Sequence, residues 1–126
     1  MAYADLLKKT RFDNVEFSIY NINMNNPELP EPMMFEWDSG NQTKNLKKHG
    51  ISSQEAEETF FCPKLIIPDQ RHSNAESRFG MYGQTNAGKI LFIAFTIRNR
   101  RVRIISARPG DKKERKIYEE QIKKTA

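Results

Sequence analysis

The stretch from Arg78 to Arg108 limits what this chain can become more than any other. It holds three runs, Arg78–Thr85, Lys89–Arg98 and Arg101–Arg108, separated only by Asn86–Gly88 and Asn99–Arg100. Asn and Gly accept the positive φ that tight hairpin turns need, so the spacing predicts three strands of an antiparallel meander. The middle run is apolar on both faces from Ile90 to Phe95. That suits a central strand, with helices on one side and aromatic or partner side chains on the other. In the first run Phe79 and Met81 share one face and Arg78 and Tyr82 the opposite one. In the third, Arg101 and Arg103 alternate with Val102 and Ile104, and Arg108 stands at the exit before Pro109 and Gly110. A row of arginines is therefore expected along one sheet.

Helices are expected on either side of the meander. Phe35–Trp37 reads as a short strand, after which Asp38 can cap a helix running to about Lys48, with Gly50 as its left-handed stop. Leu46 is the main apolar residue of that helix, which is expected to be exposed on most sides. Ser52 and Glu55 have the spacing of a capping box, Ile51 can staple against Ala56, and Pro63 ends this second helix. Leu65–Ile67 reads as a short strand and His72–Glu76 as a polar loop. A last helix begins near Asp111, with Glu114 completing a box-like pair and Ile117, Tyr118 and Ile122 as its apolar stripe. The expected fold class is α+β: an antiparallel sheet with two helices before it and one after. Residues 1–33 read as an extension, mildly helical over Ala2–Arg11 and strand-like at Val15, Phe17 and Ile19. The proline-bearing segment Asn25–Pro32 links it to a main domain over residues 34–126.

At 126 residues the chain can bury one core without metal or disulfide staples. The single cysteine, Cys62, has no partner for a disulfide or a metal site, and a buried inert thiol is expected. The apolar stretch Ile90–Thr96 is too short for a membrane helix, and Met1–Arg11 lacks a signal-peptide apolar region. A soluble cytoplasmic protein with no membrane partner is the expectation. Charge is lopsided: residues 1–63 carry 6 Lys/Arg against 10 Asp/Glu, and residues 64–126 carry 15 against 6. The basic half points to an anionic partner, nucleic acid or an acidic protein segment. There is no glycine-rich phosphate loop, no Cys/His ligand set and no G-x-S-x-G elbow, so neither metal nor cofactor is expected. Arg, Lys, His, Glu and Tyr can run RNA cleavage without a metal, which needs a base, an acid and cations for the charged phosphorane.

The series Trp37-Asp38, Asn45, Lys48-His49-Gly50, Glu55-Ala56, Glu76, Arg78, Gly83, Arg103-Ile104-Ile105-Ser106-Ala107-Arg108, Glu114 and Tyr118 resembles the BrnT-type toxins over about Phe35–Glu120. Asn41 stands where that family usually has lysine, and Ser53 where it usually has an aromatic. The resemblance implies a RelE-like fold and a ribonuclease toxin that cuts RNA and arrests translation and growth. It also implies a BrnA-like antitoxin partner, in a complex with two copies of each protein. That antitoxin binds operator DNA, and the toxin alone is not expected to.

Each candidate residue has a functional and a plain reading. His49 titrates near neutrality and suits acid–base work, or it merely favours the helix dipole. Arg78 and Arg108 can converge on a phosphate over one sheet face, or form ion pairs with Glu76 or Glu114. Glu76 is a possible base, or it orients Arg78. These four are the catalytic candidates. Lys44, Lys47, Lys48, Arg103 and Lys112 are candidate RNA contacts, against solvated charge. Tyr82 and Tyr118 are candidates for stacking, against core packing. Arg98, Arg100 and Arg101 at a hairpin tip are expected to be solvated. The rival function is a non-catalytic module that keeps the fold and binds nucleic acid or antitoxin.

Overall fold

The computed structural model describes residues 27–68 and 76–125. The helix expected over Ala2–Arg11, the strand at Val15–Ile19 and His72 lie outside these residues. In chain order the described elements are β1 (Phe35–Glu36), α1 (Ser39–His49), α2 (Ser53–Glu58), a 3-10 turn (Thr59–Phe61), β2 (Leu65–Pro68), β3 (Arg78–Gln84), β4 (Ile90–Arg98), β5 (Arg101–Pro109) and α3 (Lys112–Thr125). The strands form one five-stranded sheet in the order β1-β5-β4-β3-β2. All neighbours are antiparallel except β1, which pairs parallel to β5 through Phe35 and Glu36. The α+β class and the β3–β5 meander are as the sequence predicts. The turn into β5 has positive φ at both Asn99 and Arg100, as a two-residue hairpin requires.

Local signals set the helix ends. Asp38 accepts from the Gly40 N–H at 2.8 Å, and Gly50, at φ 68°, donates its N–H to the Asn45 and Leu46 carbonyls. Ser52 and Glu55 form the reciprocal capping box, with the Glu55 N–H donating to Ser52 Oγ and the Ser52 N–H to Glu55 Oε1, both at 3.1 Å. α2 then tightens into the 3-10 turn before Pro63. α1 is exposed on most sides, as the sequence predicts. Leu46 is 56% exposed, and the helix buries only Asn45.

The sheet has a core on each face, which is why β4 is apolar on both. On one face Leu91, Ile93 and Phe95 pack under α2 and the 3-10 turn, with Phe60 edge-on to both Phe35 and Phe95. Leu29 and Met33, ahead of β1, pack against this same core. On the other face Leu65, Ile67, Tyr82 and Ile90 meet Ile117 and Tyr118 of α3. Because α3 lies over β2 and β3, the β4 and β5 residues Phe92, Ala94, Ser106 and Arg108 stay half-buried on that face.

An irregularity in β5 decides which side chains share this open face. Ala94 pairs with Ser106 and Phe95 with Ile104, so Ile105 is an extra residue opposite β4. Arg103 and Arg108 are an odd number of positions apart and would point to opposite faces of a regular strand. With the bulge they pair with Thr96 and Phe92, which share a face, while Val102, Ile104 and Ala107 all stay in the core.

Gly83 marks the closest approach between layers. A Cβ there would lie 2.8 Å from Thr59 Cβ and 3.1 Å from the Thr59 carbonyl oxygen. The contact is partly with backbone, so it cannot rotate away. Gly83→Ala is expected to destabilise the fold by about 1–3 kcal/mol through overpacking. Urea unfolding would check this, the expected result being a lower midpoint with an unchanged slope.

Candidate functional site

The open sheet face carries two clusters of charge, one at each end of the exposed part of β5. The first is built around Arg108. Its guanidinium donates to Glu114 through Nη1 at 2.8 Å and Nη2 at 2.9 Å and lies 4.6 Å above the Phe92 ring. Glu114 is only 1% exposed and accepts two more hydrogen bonds, from Tyr82 Oη at 3.2 Å and from the Asp111 N–H at 2.9 Å. Asp111 in turn accepts from the Glu114 N–H at 2.8 Å, which completes the box predicted at the start of α3.

His49 belongs to the same cluster. Burial pushes its imidazole below the ordinary histidine value, and the charges of Lys48, Arg108 and Lys44 lower it further, in that order. The ring is therefore neutral at physiological pH, a proton acceptor set among cations.

The second cluster lies at the other end. Arg78, Thr96 and Arg103 are cross-strand neighbours. Arg103 donates to Glu36 at 3.2 Å and to Asp38 at 3.5 Å. Glu76 accepts a bidentate pair from Arg98, at 3.2 and 2.8 Å. These bonds, then the nearby charges of Arg98, Arg103 and Arg78, hold the Glu76 carboxyl below the usual range. Four residues of β4 separate the Thr96 row from the Phe92 row, a distance of about 13 Å at ~3.3 Å per residue. Between them Gly80, Ala94 and Ser106 pair across the sheet, with Gly80 buried under the Phe92 ring and Ile67. A charged cluster thus stands at each end of this face.

Set against the sequence expectations, the four catalytic candidates fall into two pairs rather than one cleft. His49 stands with Arg108, and Glu76 with Arg78. Glu76 binds Arg98 and not Arg78 in the bidentate pair, so Arg98 is an ion-pair partner rather than plain solvated charge. Arg108 makes the ion pair with Glu114 that its plain reading foresaw. Both tyrosines are corrected. Tyr82 and Tyr118 are buried, the latter donating from Oη to the Pro63 carbonyl at 2.6 Å, so neither ring is open to a base. Burial, reinforced by Cys62 nearby, raises the Tyr118 phenol, and Cys62 itself is half-buried rather than buried. Of the RNA-contact candidates, Lys44 and Lys48 act on His49, while Lys47 and Lys112 are exposed and join neither cluster among the described residues.

Phe92 and Glu114 complete the first cluster, yet neither was singled out there as a site residue from sequence. The available signal for Phe92 was an aromatic at an alternating position of β4, directly across from Arg108. Among the described residues no group of three or more His, Cys, Asp or Glu could hold a metal ion, and no helix is long and apolar enough to cross a membrane.

The two carboxylate–arginine systems differ in burial, and stability should follow burial. Glu114→Ala leaves Arg108 half-buried without its carboxylate and removes the acceptor of the Tyr82 hydroxyl bond. A loss of about 3–5 kcal/mol is expected. Glu76→Ala at the exposed pair should change stability by less than about 1 kcal/mol. Parallel chemical denaturation of the two variants would check the contrast.

Comparison with known proteins adds to the geometry. A family model described as "Ribonuclease toxin, BrnT, of type II toxin-antitoxin system" matches residues 37–114. The fold is similar to the crystal structure of the Brucella abortus ribonuclease toxin BrnT, with 22% identity and a TM-score of 0.52. That match covers 64% of this chain and 99% of the other. No curated protein matches at a significant level.

Proposed function

Because the chain belongs to the BrnT family of ribonuclease toxins of type II toxin–antitoxin systems, we propose that it is a metal-independent endoribonuclease acting from the His49–Arg108 cluster. What carries this reading is an imidazole whose charged form is disfavoured by burial and by the charges of Lys48, Arg108 and Lys44, with Arg108 fixed by a buried carboxylate. His49 takes the proton of an RNA 2′-hydroxyl as its oxygen attacks the adjacent phosphorus. The exposed edge of Arg108, with Lys44 and Lys48, offsets the charge of the phosphorane. The bond from phosphorus to the 5′-oxygen breaks, and that oxygen collects a proton from the lysine ammonium groups. The products are a 2′,3′-cyclic phosphate and a free 5′-hydroxyl.

Arg78 and Arg103, about 13 Å along the strands, are then contacts for the RNA backbone rather than catalytic groups. Glu76 keeps the arginines of that end in place. In the cell the chain acts in the cytoplasm, cutting RNA and halting translation and growth until a BrnA-like antitoxin covers the basic face. The complex contains two copies of each, and residues 34–126 form the toxin unit. One observation favours a second reading. Arg108 is already neutralised by Glu114, as suits a module that binds RNA or antitoxin without cutting.

The purified chain should cleave single-stranded RNA in buffer containing EDTA, and His49→Ala should lower kcat by about 10²–10⁴-fold. Binding with a steep salt dependence but no cleavage would instead establish the second reading. The pH profile is a separate check. Activity needs neutral His49, so kcat/KM should rise with pH through a value below the ordinary histidine pKa of about 6.5 and then level off. An acidic limb centred above that value would count against His49 as the base.

A further inference from the structure

We propose that Asn45 is the positioning residue of this site: its side chain clamps the last turns of α1 to β5 and so holds His49 beside Arg108. Its catalytic meaning rests on the proposed acid–base role of His49.

α1 cannot be held there by hydrophobic packing. Its one clearly apolar side chain, Leu46, faces solvent, and Asn45 is its only buried residue. The Asn45 amide reaches across to β5, where Oδ1 accepts from the buried Ala107 N–H at 3.3 Å. The orientation of the amide follows from chemistry, since a backbone N–H can only donate and the oxygen must face it. The opposite end of the amide is a cost. Asn45 Nδ2 is buried without a hydrogen-bond partner, and an orphaned buried donor is expensive. A leucine would fill the same space without the orphaned Nδ2, but it would make no bond to β5 and would leave the buried Ala107 N–H unsatisfied. The job of this side chain is therefore the bond to β5.

What that bond does follows from spacing. His49 is four residues after Asn45, one turn further along the same helix face. Arg108 directly follows Ala107. The pair Asn45–Ala107 thus sits one step behind the pair His49–Arg108. The other end of α1 is tied to the same strand, because its cap Asp38 accepts from Arg103 at 3.5 Å. Eleven residues of helix span about 16 Å at ~1.5 Å each, close to the ~13 Å between the two arginine rows. Beyond His49 the chain is held through Gly50 to Ile51, which is buried in the core, so the Asn45 bond is the direct tie between the His49 end of the helix and β5. The groups that face His49 and would sense this are Lys44 and Lys48 on α1 and Arg108 on β5, with Glu114 behind Arg108.

The test uses the full chain with Asn45→Ala and Asn45→Asp, the second keeping an acceptor for Ala107. In N45A the Ala107 amide should lose its protection from hydrogen exchange, and the His49 ring, followed by NMR, should titrate closer to the ordinary value. Cleavage should fall about 10–100-fold in kcat with KM within about twofold, and the acidic limb of the pH profile should move with the His49 titration. N45D should keep Ala107 protected and retain most of kcat. Its added charge shifts His49 directly, so its titration is not used. Should N45A fail to fold, loss of Ala107 protection or of kcat in a folded N45D would overturn the proposal. A folded N45A in which His49 titrates and RNA is cut as in the wild type would overturn it equally. A wild-type chain that cuts no RNA, combined with a shifted His49 in N45A, would refute the proposed activity and leave the positioning intact.

Discussion

A carboxylate at 1% exposure survives only if nearly every lone pair has a donor, and Glu114 meets that condition with four hydrogen bonds. Desolvating a carboxylate costs several kcal/mol, which only such a complete set offsets. The donors come from β5, β3 and the first turn of α3, so one side chain decides where three elements meet. It docks α3 over β2 and β3 and leaves the β4–β5 half of the face open. It also holds the Arg108 guanidinium over the Phe92 ring, 4.6 Å from its centre.

The same economy governs α1. Its sequence is polar almost throughout, so two polar ties, Asp38 to Arg103 and Asn45 to Ala107, seat it along β5. Those ties join one strand at two points roughly as far apart as the helix is long. A helix seated this way has a defined position without a hydrophobic face, and the basic residues of its last turns stay at the surface. The exposed Lys44 and Lys48 and the half-buried His49 can therefore meet an anion together.

Charge on this face is organised more tightly than the chain's net +5 suggests. Arg98, Arg103 and Arg108 each bind a carboxylate, so the guanidiniums are held at fixed positions and partly neutralised. Fixed arginines lose little entropy on meeting a phosphate, which suits recognition by position. The unneutralised positive charge is concentrated in the lysines around His49. Of the two clusters, that one has both a titratable group whose charged form is disfavoured and lysines that form no ion pair among the described residues, as proton transfer to a charged transition state demands.

Much of the architecture was legible in the chain because it depends on neighbours in sequence. Alternation and turn residues mark the meander, the Asp38 and Ser52 caps start the first two helices, Gly50 ends the first, the Asp111–Glu114 pair starts the third, and the quoted motifs carry the family. These signals are local, and local geometry is what a short stretch of residues controls. Pairing across the sheet is not local. Alternation alone sets Arg108 opposite to Arg103, and only the extra residue Ile105, accommodated against β4, returns both to one face. Nothing in the spacing shows that Glu76 takes Arg98, that Asn45 rather than Leu46 goes inside, or that Tyr82 serves Glu114 instead of a base. By itself the sequence determined the elements, their order and the presence of a basic sheet. Tertiary structure alone decided which cations stand together, because a buried polar group takes its partner from whatever strand or helix the fold brings within about 3 Å.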